Sequence, residues 1–176
     1  MLGMSIYLIV FRVVHILGAI AWGGAIFLFV VFVQPSAAAI APAGAPLVRQ
    51  LLGPRRMVDW IVRIASATIL GGAFLYWHDW QAYGSLGDFL GSAFGLSLTI
   101  GALAALLAFG IGLAVTRPNV ERMLALGAQI AQGGGEPTAE QAQEMQATQA
   151  RLKMAARVSL GLIAVAAFEM ATARYW

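Results

Sequence analysis

Arg12-Val13-Val14-His15-Ile16-Leu17-Gly18-Ala19-Ile20-Ala21-Trp22-Gly23-Gly24 sets an arginine and a histidine inside an apolar run that extends from Ile6 to Val33. A bilayer is crossed by ~20 apolar residues in a helix, so the run is long enough to span one with some tilt. A charge at the centre of such a helix costs roughly 2.5–3.5 kcal/mol on insertion scales, which makes an intramembrane arginine or histidine a functional-site candidate by default. On a helix Arg12 and His15 are i and i+3, Gly18 and Ala19 lie one turn further, and Trp22 follows at i+7. All five are expected on one face, turned toward neighbouring helices.

The composition extends this reading to the whole chain. Of its 176 residues 60% are hydrophobic and 11% charged, with a mean hydropathy of +0.79, far from the half-apolar, quarter-charged profile of a soluble domain. The expectation is an all-α integral membrane four-helix bundle, one transmembrane domain over residues 1–176. There is no cysteine, which excludes disulfides and thiolate metal sites. The net charge of +3 comes without a dense Lys/Arg patch, so no nucleic-acid partner is expected. Ser36-Ala37-Ala38-Ala39 imitates a signal-peptidase site, but the apolar run before it is about twice the length of a secretory h-region and lacks a basic leader. A retained first helix is expected.

Spans are predicted at about 6–33, 58–77, 96–116 and 158–175. Gln34-Pro35 is read as ending the first and Arg117-Pro118 as closing the third, because proline removes a helical hydrogen bond. Between the first two spans Leu47–Leu52 suits a short amphipathic turn at the membrane surface. Asp59 and Arg63 form an i,i+4 pair, and Tyr76, Trp77, Trp80 and Tyr83 an aromatic belt. Residues 119–156 read as a helical hairpin: Asn119 caps one arm, Gly133-Gly134-Gly135 breaks it, and Thr138-Ala139-Glu140-Gln141 begins a second arm that runs on into the fourth span.

Charge sets the expected topology. Of the eleven basic residues only Arg12 and Arg174 lie at one end of the spans; all others lie in or beside the first and third loops. The positive-inside rule puts those loops, including the 119–156 hairpin, in the cytoplasm of a bacterial inner membrane, with both termini outside.

The chemistry-bearing residues are few. His15 and His78 are the two histidines, and both are expected near the outer side of the bilayer. A b-type haem needs axial ligands from opposed helices, and imidazole is a standard one. His15 and His78 are therefore candidate iron ligands, with Arg12 and Arg174 on the correct side to meet propionates and Gly18, Gly23 and Gly24 leaving room for a flat ring. Glu169 is the remaining intramembrane ionisable group, expected to pair with Arg12 as a buried ion pair or to serve as a proton relay. Phosphate-binding glycine loops, nucleophile elbows and HExxH patterns are missing, which leaves hydrolase and nucleotide-driven readings without support.

The first-helix pattern of arginine, two residues, histidine, six residues, tryptophan, one residue and glycine (Arg12, His15, Trp22, Gly24) resembles a loose superfamily of four-helix bacterial membrane proteins. That superfamily includes the copper-resistance D domains, the membrane protoporphyrinogen oxidases and the membrane part of a cytochrome-fused urate oxidase. In parts of it the first-helix histidine ligates a b-type haem, and the resemblance implies that role for His15. Two functions are carried forward. One is a haem b protein that transfers electrons or oxidises a lipophilic molecule, a quinone or a porphyrin, near the outer face. The other is a non-catalytic subunit that packs against a larger respiratory or photosynthetic complex or against copies of itself.

Overall fold

A computed structural model describes the backbone of residues 2–176 and the side chains from residue 6 onward. Among the described residues every regular element is helical: α1 (Leu2–Leu28), α2 (Gln34–Ala39), α3 (Ala45–Leu52), α4 (Met57–Gln81), α5 (Leu86–Gly91), α6 (Ala93–Ile111), α7 (Arg117–Gln132) and α8 (Ala139–Thr172). Four continuous helices, Ile6–Ala39, Met57–Gln81, Ala93–Gln132 and Ala139–Tyr175, are long and apolar enough to cross a membrane. The protein is a multi-pass membrane protein. Its outward faces are apolar, with Ile20, Leu70, Leu107 and Phe168 all more than half exposed, as lipid contact requires.

The two expected proline stops are not stops. The first helix passes through Pro35 to Ala39, and the third passes through Pro118 to Gln132. Each proline is preceded by one π-helical stretch, Phe29–Val33 or Gly112–Thr116. There the chain shifts to i→i−5 bonding: Gln34 N–H donates to the Phe29 carbonyl and Arg117 N–H to the Gly112 carbonyl. The wider turn removes both reasons proline breaks a helix, since the missing donor falls where the register slips and the ring no longer meets a crowded carbonyl. Proline shifts the hydrogen-bond register of these helices without ending them.

The hairpin has the expected form. α7 ends at Gln132, Gly134 and Gly135 adopt positive φ (102° and 90°), and the side chains of Thr138 and Gln141 each bond the other's backbone N–H. α8 then runs unbroken for 34 residues, ~51 Å at 1.5 Å per residue, well beyond the ~30 Å of a hydrocarbon core. Part of it therefore stands outside the membrane beside α7, where Arg122 pairs with Glu144.

Packing divides the bundle into two antiparallel seams. In the α1–α4 seam Gly18 lies against Thr68, Gly71 against the Phe11 carbonyl, and the Phe11 and Phe74 rings stack with centroids 4.1 Å apart. In the α6–α8 seam Gly101 meets the backbone of Ala166 and the stem of Glu169. Small residues let backbones approach, which is how membrane helices gain van der Waals contact without a hydrophobic drive. The seams meet at Trp22, 5% exposed, which packs with Ala65 and Ala108 and has Leu162 and Ile163 of α8 around it.

One element was not anticipated. α5 is capped by Ser85, whose hydroxyl accepts from Asp88 N–H, and drives Phe89 into complete burial. Tyr76 and Tyr83 both meet the Phe89 ring edge-on at 5.1 Å, and Tyr76 shares a 2.7 Å hydrogen bond with Thr99 of α6. These two tyrosines, expected in an interfacial belt, close the bundle at the end opposite its arginine-rich loops. Trp77 keeps an outward position at 48% exposure.

Candidate functional site

The inward stripe of α1 is Phe11, His15, Gly18 and Trp22. With ~100° per residue these four fall within about 60° of arc, while Arg12 and Ala19 stand roughly 70–90° from the stripe's centre. Both are exposed. The expected five-residue face is thus correct for His15, Gly18 and Trp22 and displaced by one position for the other two.

His15 sits half-buried in the α1–α4 seam, with Nδ1 2.8 Å from the Thr68 carbonyl oxygen. A carbonyl only accepts, so Nδ1 carries a proton, and in the neutral ring the lone pair is on Nε2. The ring lies so close to α4 that a Cβ on Gly72 would stand 2.6 Å from Cε1 and 2.8 Å from Nδ1. Glycine at position 72 is what admits the imidazole.

His78 is in the last turn of α4 rather than in a loop, with Nδ1 3.5 Å from the Asp79 carboxylate. It follows Gly71, the neighbour of His15, by seven residues, ~10 Å along the axis. The stacked Phe11 and Phe74 rings occupy the seam between the two histidine levels. A haem held by two imidazoles needs them facing each other across its plane. These two are on adjacent, contacting helices at different depths with an aromatic layer between them, so they do not face each other across one plane. Arg12 and Arg174 are exposed and in no ion pair among the described residues. Among the described residues no group of three or more His, Cys, Asp or Glu side chains is positioned to hold a metal ion.

Glu169 is in the other seam. Its Oε2 accepts a 2.6 Å hydrogen bond from the buried Ser97 hydroxyl of α6. The expected Arg12–Glu169 pair does not form, because the residues belong to different helix pairs. Arg12→Gln and Glu169→Leu should therefore add to within ~0.5 kcal/mol in a stability cycle, whereas Ser97→Ala and Glu169→Leu should couple by ~0.5–3 kcal/mol. Urea titration of the detergent-solubilised protein measures both. Coupling between Arg12 and Glu169 instead would restore the cross-bundle pair.

A large concave feature lies at the other end. Beyond the Trp22 layer the helices part around a partly open cavity of about 940 Å³, at the upper end of the ~300–1,000 Å³ of small-molecule sites. Trp22, Ala65 and Ala108 form its floor. Phe29, Val30, Gly112 and Thr116 from the two π-helical stretches form part of its wall, and α3 lays Val48 and Leu52 across one side. Arg49 of α3 and Lys153 and Arg157 of α8 stand at its rim. Sequence reasoning missed this site. Its signal was Pro35 and Pro118, prolines followed by residues that continue a helix.

Ion pairs fix the edge of this end. Asp59 bonds Arg56 at 2.8 Å and lies 3.6 Å from Arg117, linking the start of α4 to the start of α7. The expected Asp59–Arg63 pair is replaced; the Arg63 guanidinium lies over the Trp60 ring, 5.2 Å from its centroid. No protein-family model, curated protein or solved structure matches this chain.

Proposed function

We propose that this protein is a membrane-embedded binding protein for a lipophilic molecule, held in the cavity between the arginine-rich ends of its helices. The observation that carries the reading is the cavity itself: about 940 Å³, mostly apolar, and walled by all four spans. A void of that size is a serious loss of packing in a bundle that is closed elsewhere by glycine contacts, unless something fills it. By the positive-inside bias this end faces the cytoplasm of a bacterial inner membrane and both termini face outward. The lipophilic ligand of the haem reading is retained, while electron transfer through paired histidines loses its geometric basis.

The test uses positions where a side chain can enter the cavity without a clash. An added Cβ at Gly112 or Gly127 meets nothing within 4 Å, and both residues line the cavity. Purified protein in nanodiscs should bind a pyrene-labelled long-chain alcohol saturably, read by energy transfer from tryptophan. Gly112→Phe and Gly127→Phe should each weaken that binding about tenfold or more while leaving the melting temperature within a few degrees of the parent. Equal binding by parent and filled variants would sink the proposal.

A further inference from the structure

We infer that the cavity takes an amphiphile with an acyl tail and an anionic head group, carboxylate or phosphate, gripped by Arg49, Lys153 and Arg157; this rests on the binding reading above. The sorting of charge at this end supports it. The cavity lining contains these three cations and no Asp or Glu. The acids nearby are committed elsewhere: Asp59 to Arg56 and Arg117, Glu121 to Arg117, and Glu144 to Arg122. Arg49, Lys153 and Arg157 enter no ion pair among the described residues. Three unneutralised cations therefore share the mouth of an apolar chamber.

Helix periodicity puts them there together. On α8, Gln149, Lys153 and Arg157 recur at i, i+4 and i+8 and all line the cavity, with Gln146 one turn before them. That stripe supplies amide and cationic donors along one wall. α3 adds Val48, Arg49 and Leu52 to the same lining. The floor at Trp22, Ala65 and Ala108 has no charged side chain. A ligand that matches this gradient is apolar at its deep end and negative at its shallow end. A neutral quinone or sterol would leave the cations unanswered, and basic pockets between membrane helices on the cytoplasmic side are known to select anionic head groups.

Two sources share this chemistry, a free fatty acid and an anionic phospholipid. The experiment compares pyrene-labelled fatty acid, pyrene-labelled phosphatidylglycerol, pyrene-labelled phosphatidylcholine and the pyrene alcohol, all in nanodiscs of neutral lipid. The parent protein should bind one or both anionic probes at least tenfold more tightly than the neutral probes, and the tighter of the two identifies the source. Arg49→Gln, Lys153→Gln and Arg157→Gln combined should abolish that preference, a drop of roughly a hundredfold at about fivefold per cation. The combined variant should still bind the alcohol as the parent does, which shows that the chamber is intact. Charge-blind binding by the parent would overturn the head-group assignment and leave the cavity reading standing. Absence of saturable binding for every probe would overturn both. Single substitutions provide a folded fallback should the triple variant not express, each expected to lose about fivefold for the anionic probe alone.

Discussion

Trp22→Ala is expected to destabilise the protein by ~3–5 kcal/mol, the usual cost of deleting a large aromatic side chain from a packed interior. Trp22 is 5% exposed and packs with Ala65 of α4 and Ala108 of α6, with Leu162 and Ile163 of α8 around it. The two buried residues of its cluster are alanines, which cannot spread into the vacated space. The residue is also the floor of the large cavity, so its removal opens that chamber toward the His15 half of the bundle instead of leaving a closed void. Trp22→Phe retains a ring at the junction and should cost less than half as much. Urea or sodium dodecyl sulfate titration, followed by helical circular dichroism in mixed micelles, gives the comparison. A loss below ~1 kcal/mol for Trp22→Ala would mean that the two helix pairs are held together elsewhere.

The number of spans, the hairpin and the unbroken run into the fourth span were legible because each depends on local signals: apolar length, a glycine triplet, a capping box. The proline positions were misread for an equally local reason. Proline forbids an α-helical bond, but a π-helical turn one register earlier satisfies the backbone, and nothing in Gln34-Pro35 or Arg117-Pro118 alone tells a stop from a register shift. α5 was hidden because a six-residue helix gains its stability from Phe89 docking against Tyr76 and Tyr83, a tertiary effect.

Site reasoning followed the same division. That His15, Gly18 and Trp22 face inward could be read from spacing within one helix. Which helix they meet could not. Glu169 was matched to Arg12 by depth, but depth does not determine helix neighbours: α1 packs chiefly on α4 and α6 chiefly on α8, so the carboxylate finds Ser97. The two histidines were likewise matched by depth alone. Depth does not fix which part of a partner helix a residue meets: His15 lies against Gly71 and Gly72, a turn or more before His78 on α4.

Gly72→Leu is expected to produce the second large loss, above the ~1–3 kcal/mol of ordinary overpacking. The first atom added at position 72 would lie 2.6 Å from His15 Cε1, inside any real contact, and the remainder of leucine needs the volume the ring now fills. The imidazole must leave, and it then gives up its 2.8 Å bond to the Thr68 carbonyl. An unpaired polar ring in an apolar seam adds ~1–3 kcal/mol to the steric cost. The two losses have one origin, so they should not add to those of a variant in which the ring is already gone. His15→Ala alone should lose the hydrogen bond and the ring contacts. Gly72→Leu placed on that background should cost at least 1 kcal/mol less than it does in the parent, since the leucine can occupy the vacated imidazole site. The same titration in micelles measures the four corners of the cycle. Strict additivity would show that His15 and Gly72 do not share this space, and the α1–α4 seam would then be held by Gly18, Gly71 and the Phe11–Phe74 stack without the histidine.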